Sequence, residues 1–368
     1  MSRVLFIEPV LAHYRRDTFS QIVENNHFEM LILAGRNYEG VKPFKIDASE
    51  LRNYFSFRFL NHRFYYLKGA ISFVKKYRPD IVVCSGIDFH HIHTLLVFVW
   101  VKVTKRKFIW WSHGSFGKQG FIGRWLRGYI YRKSDYILVY SQQGENNLLK
   151  LGLCSSKVCV IGNAINSEDY GLNKDLPKRR PKTDEINILY TGRLTEAKRI
   201  DVLLNALKIL KEERIHNYKC VVVGAGIIEK LLNLAKDLNV SDIVEFVGGK
   251  YGDEIVPYFQ NADLYVYPSG IGLSILHALS YGLPVITTDN YRLHFPEVEL
   301  LSLGINGDVF LDGNAEDLSE KIEEWATKVA SGELDISKEC INAIYSKGYL
   351  PEEQAKKIIN VLSQVEML

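Results

Sequence analysis

The stretch "LYVYPSGIGLSILHALSYGLPVITT" (Leu264 to Thr288) decides the fold. An apolar, aromatic run (264–268) leads into Ser269-Gly270-Ile271-Gly272. An apolar segment carrying one histidine, His277, follows. Gly282-Leu283-Pro284 closes it, and a β-branched run comes next. By length and residue type this reads as strand, glycine turn, helix, strand. Two strands joined through a helix pair in parallel, and a sheet built this way has both faces covered.

The same alternation extends in both directions. Upstream lie "INILYTG" (186–192), "KCVVVG" (219–224) and "IVEFVG" (243–248), with helical stretches between them. Further upstream lie "RVLFI" (3–7), "EMLILA" (29–34), "IVVCS" (81–85), "KFIWWS" (107–112), "YILVYS" (136–141) and "KVCVIG" (157–162). Helical lengths separate several of these, at 68–77 and 121–133. Most of the strands are unbroken apolar runs, as parallel strands buried on both faces should be. Between the two series stands "NKDLPKRRPKTDE" (173–185), polar, charged and holding two prolines. The expected organisation is α/β, two Rossmann-like doubly wound domains. The first spans 1–172, the linker 173–185 and the second 186–345, with a terminal helix in 346–368 that can fold back on the first domain. Pro351 marks the start of that helix. Open α/β sheets bind ligands at the carboxyl ends of their strands, so two such domains facing each other are expected to form a central cleft.

Composition narrows the function classes. The 368 residues suffice for two cores. Hydrophobic residues make up 47% and charged residues 24%, as in ordinary globular enzymes, and a net charge of +3 does not call for nucleic acid. The charge is uneven. Lys102, Lys105, Arg106, Lys107, Lys118, Arg124, Arg127, Arg132 and Lys133 cluster against Asp135 alone, among Trp100, Phe108, Trp110, Trp111, Trp125 and Tyr129. Two readings stand: a solvated face, or a patch against an anionic membrane surface. The five cysteines, odd in number and without metal-ligand spacing, read as reduced thiols of a cytoplasmic protein. "HTLLVFVWVKV" is too short to cross a bilayer.

Chemistry is expected just after strands. In "YTGRLTEAKRIDVLLNALKIL", Gly192 permits a turn, and Arg193 and Lys198 stand between strand and helix, where cations and helix amides can hold an anion. In the opening stretch, Ser269, Gly270, Ile271, Gly272, Leu273 and Ser274 form a second turn of the same kind, and Gly224 lies in a third, "VVVGAG". There is no P-loop lysine and no metal-ligand cluster. The residues therefore suit a nucleotide diphosphate neutralised by protein cations, with no cofactor and no metal.

In that order, "GRLTEAKRIDVLLNAL", "VVVGAG", "VEFVG", "NADLYVYPSGIGLSILHALSYGLPVITTDN" and "GINGDVF" resemble the donor-binding domain of retaining GT-B glycosyltransferases of family 4. "HGSFGK", "KSDYILVYSQQGENNLLKLG" and "KVCVIGNAIN" resemble that family's acceptor domain. The resemblance implies transfer of a sugar from a nucleotide diphosphate, UDP- or GDP-linked, with retention at the anomeric carbon. It implies that Arg193 and Lys198 bind the diphosphate, that the amides of Gly272 to Ser274 lie over it, and that His113 sits near the transferred sugar. The family's two loop glutamates are absent: Ser269 and His277 stand in their places. Bacterial polysaccharide-synthesis members look similar, with a histidine in that helix and a later Pro-Glu, here "HFPEVE" (294–299). A neutral imidazole at His277 can accept a ribose hydroxyl, and Glu297 or Glu299 can supply the missing carboxylate.

The expectation is a cytoplasmic, membrane-peripheral enzyme of O-antigen or capsule synthesis acting on a saccharide acceptor, lipid-linked. The alternatives are a catalytically silent GT-B partner subunit, favoured by the missing carboxylates, and a nucleotide-sugar epimerase.

Overall fold

The computed structural model describes all residues except 39–40, 42, 60–61, 87–89, 115–120, 174–184, 214 and 333–334. Lys118 and almost all of the expected linker lie outside the described residues. The chain forms two compact units, Met1–Asn166 with Gly348–Leu368, and Ser167–Lys347. Residues 167–172 belong to the second unit although they precede the polar stretch. Gly171 packs under the backbone of Ser280, and its amide donates to Ser280 Oγ at 2.9 Å.

The first unit is built on nine strands and six helices among its described residues. In chain order these are β1 (Ser2–Glu8), α1 (Arg16–Val23), β2 (Phe28–Gly35), β3 (Ser49–Arg52), β4 (Tyr54–Phe59), β5 (His62–Leu67) and α2 (Ala70–Tyr77). There follow β6 (Ile81–Ser85), α3 (Ile92–Val103), β7 (Lys107–Ser112), α4 (Phe121–Lys133), β8 (Tyr136–Val139), α5 (Gln142–Leu149) and β9 (Val158–Val160). The sheet runs β3-β2-β1-β6-β7-β8-β9, with every neighbouring pair parallel. β1 shows why its sequence is uninterrupted apolar. Val4 and Phe6 enter one core, while Leu5 and Ile7 enter the core on the other face.

The last helix of the chain, Pro351–Glu366, belongs to this unit. It lies on α1 and contributes Ile358, Val361, Leu362 and Val365 to the first of those cores. Its Gln354 is fully buried and satisfied. Its side-chain nitrogen donates to Gly162 O at 2.7 Å, and its oxygen accepts from Thr18 Oγ1 at 3.0 Å.

Two features of this unit depart from the sequence reading. β4 and β5 form a separate antiparallel hairpin that the strand search did not find. The basic and aromatic segment 101–135 is also not one face. β7 runs through it, so Phe108, Trp110 and Trp111 are core residues. Lys102 pairs with Asp135, and Arg106 is held by the carbonyls of Arg78 and Pro79. Clustering in sequence became two sheet faces and a helix, because a strand sends successive side chains to opposite sides.

The second unit contains β10 (Glu185–Thr191), α6 (Ile200–Glu213), β11 (Asn217–Val223), α7 (Ile228–Asp237), β12 (Val244–Gly248), α8 (Val256–Asn261) and β13 (Leu264–Tyr267). It continues with α9 (Ser274–Ser280), β14 (Val285–Thr288), β15 (Gly307–Phe310), α10 (Ala315–Ser331) and α11 (Ile336–Lys347). Its sheet order is β12-β11-β10-β13-β14-β15, again all parallel.

Each sheet therefore has one place where strand order reverses. In the first it lies between β1 and β6, and in the second between β10 and β13. Ligands of open α/β sheets bind outside the strand ends at such a place.

Candidate functional site

At the second reversal, the loops after β10 and β13 meet. Gly192, at φ 156°, turns the chain out of β10; a Cβ there would stand 3.0 Å from the Tyr190 hydroxyl. That hydroxyl donates to Arg193 O at 3.3 Å, which fixes the backbone under the arginine. The Arg193 side chain is exposed. Lys198 closes the short 196–198 helical turn, and its Nζ lies 5.0 Å from the Tyr267 ring centre. Among the described residues neither cation has a carboxylate partner. The nearby charges are spent elsewhere, Arg199 on Asp201 and Glu196 on Lys230.

The two loops are tied together by Ser269. It is buried, and its hydroxyl donates to Ala197 O at 2.8 Å. Its own carbonyl accepts from Thr287 Oγ1 at 2.9 Å. The glycines here serve close backbone approach. A Cβ on Gly270 would stand 2.0 Å from Leu293 O, and one on Gly272 3.2 Å from the Phe295 ring. Gly224 is used in the same way. A Cβ there would meet Gly192 O at 1.9 Å, and its amide already donates to Gly248 O at 2.8 Å.

The amides of the 270–274 loop are therefore not equivalent. Ile271 N–H donates to His294 Nδ1 at 3.0 Å, while His294 Nε2 donates to Thr288 O at 2.8 Å. Those two bonds define a neutral ring, and burial lowers its pKa accordingly. Ile271 thus has its acceptor inside the protein. Gly272, Leu273 and Ser274 have none for their amides among the described residues. The Ser274 side chain bonds with Tyr265.

His277 sits one turn into α9, half-buried, with its ring stacked on Phe259 at 5.9 Å. Its Nδ1 lies 3.2 Å from Asp169 O. A carbonyl only accepts, so Nδ1 carries the proton and Nε2 is the acceptor nitrogen. The ring lines a cavity of about 420 Å³ together with residues 167–170, 252–253, 255–256 and Tyr281. Glu297 is buried in the 296–300 turn, directly after the loop that covers Gly270 and Gly272.

The first reversal carries a cluster that sequence reading did not pick out, apart from His113. Glu8 ends β1 and is buried; it pairs with Arg15 at 3.2 Å and accepts from Ser85 Oγ at the end of β6. Arg15 also donates to the Tyr140 hydroxyl and lies 4.7 Å from the Trp111 ring. Burial pushes the Glu8 carboxyl up, against the opposing pull of Arg15 and Ser85. His113, beyond β7, packs at a tilt on Tyr140, with ring centres 4.7 Å apart, and keeps an open edge to solvent. Crowding by protein, and after it the charge of Arg15, lowers its pKa to about 4. The signal for this cluster was a lone carboxylate closing the apolar strand "RVLFIE". Among the described residues no three His, Cys, Asp or Glu side chains gather as a metal site would need, and no helix is long and apolar enough to cross a membrane.

Two family models match the chain: glycosyl transferases group 1 over residues 173–347, and glycosyltransferase family 4 over residues 23–169. One relative is the amylovoran biosynthesis glycosyltransferase AmsK of Erwinia amylovora, 26% identical over 217 residues, which are 56% of this chain and 50% of the relative. The chain spans about half the length of the curated relatives it matches. Among solved structures, a glycosyltransferase from Rickettsia africae superposes with a TM-score of 0.75 at 17% identity, covering 99% of this chain and 98% of the other. Anabaena HepE in complex with UDP and glucose superposes with a TM-score of 0.65 at 15% identity, covering 99% and 100%. At those identities the likeness is one of fold, the GT-B fold.

Proposed function

Because the chain belongs to the group 1 and family 4 glycosyltransferases, we propose that it is a retaining, metal-independent transferase moving a sugar from a UDP- or GDP-linked donor to a saccharide acceptor. One observation carries the reading: among the described residues Arg193 and Lys198 stand without a carboxylate at the glycine-lined reversal of the second sheet. Two cations held there suit the charge of a diphosphate, and charge-assisted bonds to it strengthen as the leaving group gains charge. The bond from the anomeric carbon to the diphosphate oxygen breaks, and its electron pair stays on that oxygen. The acceptor hydroxyl attacks from the same face and passes its proton to the phosphate oxygen. The amides of Gly272, Leu273 and Ser274 add donors on the same side of the loop. Neutral His113 serves as an uncharged hydrogen-bonding group near the sugar, and His277 Nε2 as an acceptor for the ribose.

The acceptor is a lipid-linked saccharide of bacterial surface-polysaccharide synthesis, met at the cytoplasmic face of the membrane. A relative named for biosynthesis of a polymer supports this part, as does the resemblance of the loop and its Pro-Glu to polysaccharide-synthesis enzymes.

A second reading, a silent partner subunit, is favoured by Ser269. Its hydroxyl is spent on Ala197 O, where the family places a carboxylate. Incubating the purified chain with a panel of nucleotide sugars, with and without EDTA, separates the two. The proposal expects release of nucleoside diphosphate from one donor that persists in EDTA, and transfer to a saccharide acceptor with retained anomeric configuration. No turnover of any donor would leave the silent subunit standing. Turnover that vanishes in EDTA would overturn metal independence.

A further inference from the structure

We propose that the β4–β5 hairpin of the first unit docks the protein on an anionic bilayer surface. This deepens the reading of a lipid-linked acceptor and rests on a different part of the molecule from the donor site. The hairpin is antiparallel, with Phe55 opposite Tyr66, Phe57 opposite Phe64 and Phe59 opposite His62. One face is therefore aromatic at every position. Phe55, Phe57 and Phe59 are 53%, 41% and 62% exposed, and Phe57 stacks on Phe64 at 5.5 Å. An isolated two-stranded hairpin is marginal in water, and three phenylalanines presented in a row to solvent mark a surface that something covers.

The base of the hairpin is secured without them. Leu67 is buried, the Tyr54 hydroxyl donates to Pro9 O at 3.1 Å, and Tyr54 and Tyr65 pack on His91. The exposed phenylalanines are thus not needed to hold the hairpin on the unit.

Charge identifies the occupant. On the other face Arg58 lies directly opposite Arg63, whose guanidinium donates to Ser56 Oγ at 3.0 Å; like charges directly opposite each other destabilise a strand pair, and an anion beside them would relieve this. The hairpin has no acidic residue. Within the hairpin the only charged residues are Arg58 and Arg63, and the next, Lys68, is also basic. Beside the hairpin, α3 packs on β5 and turns Leu96, Val99 and Val103 outward. A hairpin with aromatic rings on one face and arginines on the other suits the headgroup level of a membrane, where the rings meet the acyl boundary and the cations meet phosphate.

The test is sedimentation of the full chain with phosphatidylcholine vesicles, with and without phosphatidylglycerol. The expected result is binding to the phosphatidylglycerol vesicles only. F55S/F57S/F59S should reduce it to background. R58Q/R63Q should weaken it about 25-fold, about fivefold for each charge removed, while W125S/Y129S on α4 should change it little. Indole emission from F57W should shift to the blue and be quenched by brominated acyl chains. Unchanged vesicle binding by F55S/F57S/F59S would overturn the proposal, as would loss confined to W125S/Y129S. A dimer that dissociates in the triple variant would assign the face to a second copy and also overturn it. UDP and GDP binding, measured on the same samples, should be equal in all variants. Failure at the membrane would therefore leave the donor reading intact, and absence of nucleotide binding in wild type would strike the donor reading alone.

Discussion

Where β1 gives way to β6, a carboxylate and a guanidinium are buried together; where β10 gives way to β13, two cations stand without a carboxylate among the described residues. Both places are the carboxyl ends of a parallel sheet at its reversal of strand order. In the first, Glu8, Arg15, Ser85 and Tyr140 bond to one another, so the charge is balanced internally, although the buried Arg15 Nε has no acceptor among the described residues. In the second, glycines let loops close to backbone contact, and Arg193 and Lys198 have no carboxylate partner among the described residues. The same topology thus yields one site whose charges are paired within the protein and one whose cations are not paired with a carboxylate among the described residues. A neutral, pre-paired site suits a polyhydroxylated, uncharged group. An unpaired cationic one suits a diphosphate.

The largest effect should come from breaking the balanced site. Arg15→Met leaves Glu8 buried without its ion partner, a loss of about 3–5 kcal/mol of stability. Chemical denaturation should show it, and Glu8→Gln added to Arg15→Met should recover part of it. Equal stability of Arg15→Met and wild type would mean that the pair is not held as described. Nucleotide affinity of the folded Arg15→Met protein should be unchanged, because the residue serves only the first site.

The opposite pattern is expected at the second site. Arg193→Ala and Lys198→Ala should each lower kcat/KM about 10- to 100-fold, from charge-assisted bonds of about 1.5–3 kcal/mol. Their melting temperatures should barely move, since neither side chain supports the fold. A large drop in stability with unchanged kinetics would reverse the contrast between the sites.

His277 offers a smaller effect. His277→Ala should weaken nucleotide binding by about 1 kcal/mol, the size of one neutral hydrogen bond. The penalty should shrink with the 2′- or 3′-deoxy nucleotide. An equal penalty with ribo and deoxy forms would make His277 a packing residue between Phe259 and Asp169 O.

The smallest effect concerns pH at the first site. His113 takes a proton near 6.5 when unfolded and only near about 4 when folded. Between those values the unfolded state binds more protons, so stability falls as pH drops through that window. The open edge of the ring keeps the effect modest. His113→Gln should flatten that part of the stability profile, and an unchanged slope would assign it to other groups.

The alternation of parallel strands was legible because strands buried on both faces leave unbroken apolar runs, as "IVVCS" and "KFIWWS" do. The strand "SELR" and the hairpin 54–67 were not, since the first has Leu51 as its one apolar residue and the second turns its phenylalanines outward, against the rule that locates strands. The position of Arg193 and Lys198 after β10 followed from spacing alone. The reason for Gly270 did not. Its neighbour is Leu293 O, and the His294 ring that occupies the Ile271 amide comes from the same distant loop. Local sequence shows that a backbone approaches closely there, but not what approaches it. The Glu8–Arg15 pair was missed for a similar reason: two charges seven residues apart reveal nothing of burial until strand and turn are folded.

The most direct test is calorimetric titration of wild type, Arg193→Ala and Lys198→Ala with the nucleoside diphosphate and monophosphate of the preferred base, in EDTA. The second site should bind the diphosphate more tightly than the monophosphate in wild type, and each substitution should narrow that gap. Equal affinity for the two nucleotides in wild type, or a gap that survives both substitutions, would contradict it.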